Sequence, residues 1–88
     1  PPVEEVEQLS LDRQMGEVCM LGLRLNRGMP RETVEKVIRQ SKDNWREVVI
    51  QEKLNEGLLV WQNDALALTQ KGRLVADFVI GDLLMQET

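Results

Sequence analysis

The side chains able to do chemistry are few, and their types exclude more than they suggest. The 88 residues contain no His and a single Cys, Cys19. That removes a Ser–His triad, a Cys–His pair, a zinc site of the usual ligands and a self-contained iron–sulfur cluster. One cysteine also builds no internal disulfide framework. What remains are cations. Arg24 and Arg27 close the first apolar-periodic stretch, and Arg is the side chain best shaped to grip a carboxylate with two parallel hydrogen bonds. They head a basic segment. Arg24, Arg27, Arg31, Lys36, Arg39, Lys42 and Arg46 stand against Glu32, Glu35 and Asp43, so residues 24–46 carry +4 in a chain of net −4. The competing reading of Arg24 is structural: a cation at its helix C-terminus, or a partner for Glu17 or Asp77.

Other residues invite the same comparison. Trp45 and Trp61 are the main aromatic mass in a chain that is 3% aromatic. They could stack on a flat ligand, but core or inter-domain packing is the expected use. Gly72 and Arg73 have the outline of a phosphate-binding helix start, and helix-start packing is expected instead. Met15, Met20, Met29 and Met85 read as gap fillers, and Cys19, alone on an apolar helix face, as core.

The elements that must position these residues follow from composition and periodicity. With 42% apolar and 30% charged residues, the chain suits one globular domain with a modest core. It has no apolar run of about 18 residues, so no membrane span is expected. No secretion leader is expected either, and the cytoplasm is the expected location. The start at Pro1-Pro2 suggests a piece of a longer protein. Residues 1–9, with two prolines and Glu4, Glu5 and Glu7, read as an acidic linker. Ser10 is a suitable N-cap for a helix over residues 11–25, with Gly22 placed for close packing against a helix or the hairpin. Asn26, Arg27 and Gly28 stop it. Met29-Pro30 opens a second helix bearing Val34, Val37 and Ile38, with Pro30 at its first position. After a break in which Asp43 or Asn44 can cap, a third helix covers residues 45–55 with Trp45, Val48, Val49, Ile50 and Leu54 as its apolar positions. Gly57 ends it.

The period then shortens. Residues 58–61 and 65–69 read as strands joined by the polar turn Gln62-Asn63-Asp64, a hairpin. Thr69 caps a last helix whose apolar positions include Leu74, Val75, Phe78, Val79 and Leu83. The expected fold is α+β, mostly helical and winged-helix-like: three helices, a two-stranded hairpin and a C-terminal helix. Such an order brings DNA to mind, but fold does not fix function. Residues 43–56 set Arg46 and Lys53 against Asp43, Glu47, Glu52 and Glu56, a net −2, and the turn carries Asp64 and no base. Phosphate contacts come from Lys and Arg, so no nucleic-acid partner is expected.

Two runs carry a resemblance. Residues 17–25, EVCMLGLRL, followed by Arg27-Gly28-Met29, form the first. Residues 54–59, NEGLL after Leu54, and then residues 66–77, LALTQKGRLVAD, form the second. Together, and in register, they resemble the C-terminal domain of oxygen-independent coproporphyrinogen III oxidase-like proteins of the radical S-adenosylmethionine superfamily. The resemblance covers residues 12–84. It implies an upstream catalytic barrel in the same chain that holds a 4Fe–4S cluster on CxxxCxxC cysteines and uses S-adenosylmethionine. Neither cofactor is expected on this chain, which has no catalytic and no metal-binding residue to offer. The parent would be a coproporphyrinogen-dehydrogenase-like oxidoreductase of porphyrin biosynthesis, or a relative that handles haem as a chaperone. Residues 10–88 would then be an accessory domain that packs on the barrel and completes or covers the tetrapyrrole site. Arg24 and Arg27 are its candidate contacts to tetrapyrrole propionates or to the neighbouring domain. The alternative is a stand-alone winged-helix module binding nucleic acid or protein.

Overall fold

A computed structural model describes residues 2–86. The first helix, α1, runs over Val3–Leu23 and so begins eight residues before its expected start. Residues 3–9 contain no Gly or Pro, and Glu4 and Glu5 sit in the first turn, where the helix dipole favours acids. The extended acidic segment expected there is therefore helical, although its side chains are exposed on every face. Ser10 lies inside the helix and caps nothing.

Beyond α1, Gly28 takes φ 77° and turns the chain into a two-residue strand, β1, Met29–Pro30. These residues were expected to open the second helix. They pair instead with the hairpin, and α2 starts one residue later, at Arg31–Arg39. A 3-10 turn over Lys42–Asn44 leads to α3, Trp45–Asn55. Asp43 and Asn44 both adopt φ 54° there, and neither side chain caps α3. Strands β2, Leu59–Gln62, and β3, Ala65–Leu68, form the expected hairpin. Its turn is one residue shorter than read, because Gln62 pairs with Ala65. Asn63 and Asp64 carry the turn with φ 51° and 59°, the left-handed pair that matches the twist of a two-residue hairpin loop. The sheet order is β1-β3-β2, antiparallel throughout, with Met29 opposite Leu66.

Thr69 caps the next helix as expected, its Oγ1 accepting from the Gly72 N–H at 2.9 Å. The single last helix breaks in two, however. Val75 leaves helical geometry at φ −126°, ψ 35°, separating α4, Gln70–Leu74, from α5, Ala76–Leu84. The result is a mostly helical α+β domain. Its core joins Cys19 and Leu23 of α1, Val34 and Val37 of α2, Ile50 of α3, Leu66 of β3, and Val79 and Leu83 of α5.

Gly16 and Gly22 set how closely α1 is approached. A Cβ on Gly16 would run into the backbone carbonyl of Leu84, and one on Gly22 into the Met29 side chain. The partner of Gly22 is therefore β1, the strand that flanks the hairpin. Several residues expected in the core are not there. Val48, Leu74, Val75, Phe78 and Met85 are exposed, so Met85 is no gap filler.

Candidate functional site

Arg24 and Arg27 lie in the turn where α1 ends, and the packing of α1 and α3 on α5 that carries this turn is fixed by two buried cations. Arg46 on α3 is 0% exposed and spends all five guanidinium N–H donors. Its Nε donates to the Leu83 carbonyl at 2.7 Å. One terminal nitrogen donates to Asp12 Oδ1 at 2.9 Å and Ser41 Oγ at 2.8 Å. The other donates to the Asp12 carbonyl at 2.9 Å and the Leu84 carbonyl at 3.0 Å. The group also lies 4.2 Å over the Trp45 ring, and the Trp45 indole N–H donates to the same Asp12 oxygen at 2.9 Å. One side chain thus ties α1, the α2–α3 corner and the otherwise unpaired last carbonyls of α5. Lys53, also buried, meets Asp82 at 2.7 Å and sits 4.2 Å over Phe78, joining α3 to α5 a second time. Among the described residues no buried side-chain N or O lacks a partner.

This framework sets α1 and α5 antiparallel, with Gly16 against Leu84 and Arg24 beside Asp77. The Arg24–Asp77 approach is 4.0 Å, with the side chains 61% and 100% exposed. A pair that open is screened by water and holds its arginine weakly. Arg24 therefore has the anticipated structural partner and still has freedom to meet another carboxylate. It shares a cleft of about 180 Å³ with Arg73 above the apolar side chains of Leu23, Leu25, Leu68 and Ala76. Arg27 does not open onto that cleft. It lines a neighbouring one of about 260 Å³ with Gly28, Pro30, Asn63 and Asp64. Asp64 is already engaged by Arg31 at 2.5 Å, and Arg31 also covers Trp61 at 4.2 Å.

The geometry thus separates the two sequence candidates and gives Arg24 a different companion. Gly72 behaves as expected: a Cβ there would strike the Leu58 carbonyl, so it serves close packing. Its neighbour Arg73, read from the sequence only as part of a helix start, is the companion of Arg24 in that cleft. Nothing local ties it to Arg24, because the two are far apart in sequence and come together only in the folded domain. An arginine pair over an apolar floor suits a carboxylate borne on an apolar body. The space, about 180 Å³, is below the roughly 300–1,000 Å³ of whole small-molecule sites.

Trp45 is buried and Trp61 is half-buried under Arg31. Cys19 is buried, and burial pushes its thiol up to about 11, against a smaller lowering by Arg46. A buried neutral thiol is a poor nucleophile and a poor ligand. Among the described residues no group of three or more His, Cys, Asp and Glu is placed to hold a metal ion. Among the described residues no helix is long and apolar enough to cross a membrane.

The fold and site define a class: a small, mostly helical domain with a three-stranded sheet and exposed arginines at the end of its first helix. The family described as the HemN C-terminal domain matches residues 9–75, and the chain belongs to that family. Two relatives, each named heme chaperone HemW, come from Mycobacterium tuberculosis strains CDC 1551 / Oshkosh and ATCC 25618 / H37Rv. Each is 35% identical over 83 residues, which cover 94% of this chain and 19% of the relative. The chain thus spans a minor part of the relatives it matches. No solved structure matches it significantly.

Proposed function

We propose that the chain is the C-terminal accessory domain of a HemN-like radical S-adenosylmethionine protein of the haem-handling branch, working in the cytoplasm. It packs on an upstream catalytic domain of the same chain and covers part of that domain's tetrapyrrole site. The observation that carries this reading is the match to a domain family at the C-terminal end of proteins many times its length, whose two named relatives are haem chaperones. Their name favours haem handling over coproporphyrinogen oxidation as the parent's task. The cluster and S-adenosylmethionine of such a parent find no fit on this chain, where the one thiol is buried, so they belong upstream.

Within this reading Arg24, with Arg73, receives one propionate arm of the tetrapyrrole at the edge of the upstream site. Arg27 faces the same neighbour from the adjoining cleft. A winged-helix-like arrangement is compatible with the order of elements, but α3 is a poor reading helix. Both of its cations, Arg46 and Lys53, are buried, which leaves Glu47, Glu52 and Glu56 exposed. A surface of that sign repels phosphates.

Titrating haem into the intact chain, followed by its Soret band, tests the arginine roles. Arg24→Ala and Arg73→Ala are each expected to weaken haem binding several-fold, with the melting temperature of the domain unchanged. Unchanged binding with a lowered melting temperature would return Arg24 to its structural role beside Asp77.

A further inference from the structure

The surface along α5 exposes apolar side chains, and its far end lies against the start of α1. Phe78 and Gly81 share an exposed face of α5, with exposed Leu74 at the end of α4 before it and exposed Met85 just past its end. Phe78 is 57% exposed and Met85 69%, and Phe78 has its ring engaged by Lys53 on the α3 side. Past the end of α5 the face continues onto the overhanging start of α1. Leu9, 62% exposed, lines a cleft of about 390 Å³ with Leu84, Met85 and Gln86. Gln86 also lines a second cleft, of about 370 Å³, with Trp45, Val48 and Val49 of α3. The two clefts therefore adjoin along the end of α5. Contiguous apolar surface of this kind is rare on free monomers and marks an interface.

We infer that this face, centred on Phe78 and Met85 and extended by Leu9, is the seat of the upstream domain of the same chain. The inference rests on the reading above, that such a domain exists. Two observations choose the occupant. In the relatives the aligned stretch is only 19% of the length, and the family is a C-terminal domain, so the bulk of such a protein precedes α1. The preceding chain joins at the N-terminal end of α1, the end that overhangs α5 and carries Leu9. A domain tethered there meets this face at high effective concentration, so modest apolar contact suffices to hold it. The Arg24 cleft lies at the C-terminal end of α1, where Arg24 meets Asp77, and so borders the Phe78 end of the seat.

Hydroxyl-radical footprinting of the intact chain tests this directly. Leu21 on α1 is 65% exposed and points away from the face, so it serves as the internal reference. With each residue normalised to the urea-unfolded chain, Leu9, Phe78 and Met85 are expected to label several-fold more slowly than Leu21, independently of protein concentration. Phe78→Asp should restore the labelling of Leu9 and Met85 while Cys19 stays protected, which shows the domain still folded. Protection that vanishes on dilution would assign the face to a second copy and overturn the inference. Protection of Leu21 and Leu25, with Phe78 and Met85 free, would overturn it while leaving the packed accessory domain intact. Full labelling at all these positions would overturn both.

Discussion

Arg46 concentrates the argument at the level of single residues. A guanidinium removed from water is costly unless each donor is used, and here five acceptors from three parts of the chain use them all. Removing it leaves Asp12 with the Trp45 indole as its one remaining side-chain donor and takes the guanidinium from the carbonyls of Leu83 and Leu84. Arg46→Ala should cost about 3–5 kcal/mol, the range for breaking a buried pair from one side. That is a large share of the roughly 5–15 kcal/mol that holds a domain folded. Arg46→Lys should recover little, since an ammonium cannot reproduce the fork. Urea unfolding followed by circular dichroism reads both. A loss below about 1 kcal/mol, typical of exposed pairs, would reduce Arg46 to an ordinary surface ion pair. Sequence reasoning placed Cys19 and Ile50 in the core correctly and missed Arg46 and Lys53. Both cations lie on the buried face of α3, where Arg46, Ile50 and Lys53 recur at helical spacing. A periodicity reading assigns charge to solvent, so it sent Val48 inward in their place. The evidence of pairing was held by Asp12 and Asp82, which are far away in sequence.

Element boundaries were legible where local chemistry sets them. Trp45 and Asn55 bound α3 as its spacing implied, Thr69 caps α4, and Gly57 at φ 75° ends α3. They were illegible where tertiary pairing competes. Met29-Pro30 has the local signature of a helix start, yet Leu66 and Ala65 draw it into the sheet. The prolines and glutamates at the front read as a linker, yet residues 3–9 have enough helix propensity to extend α1 outward without burial. The packing of α1 on α5 supplies the test at this scale. Gly→Ala inside a helix ordinarily stabilises by about 1 kcal/mol. Gly81 on α5 has open space around it, so Gly81→Ala should follow that rule. Gly16 faces the backbone of Leu84, which cannot swing aside as a side chain would. Gly16→Ala should therefore destabilise, by about 1–3 kcal/mol as in overpacked cores. Thermal unfolding of the two variants compares them, and a stabilised Gly16→Ala would mean that α1 and α5 are not closely apposed.

For the whole molecule, the account joins three features that point outward. The arginines sit at one end of α1, the apolar seat lies along α5, and the chain enters at the opposite end of α1. A long axis of 42 Å against 25 and 19 Å gives the domain reach along a larger partner. The family was legible from two short runs in the sequence, because they encode the turn after α1 and the hairpin–α4 junction. The placement of Arg24 with Arg73 rather than Arg27 was not, because it depends on long-range packing, with α1 on α5 and α4 on α5 and β3. The central claim is that this domain contributes to holding a tetrapyrrole whose main site lies upstream. The most direct measurement compares haem affinity, by Soret titration, of the full-length protein that carries this domain with that of the same protein ending before Val3. The comparison uses material whose upstream domain keeps its own melting transition. The account predicts clearly weaker and faster-dissociating haem in the shortened chain. Equal affinity and equal dissociation in the two would contradict it.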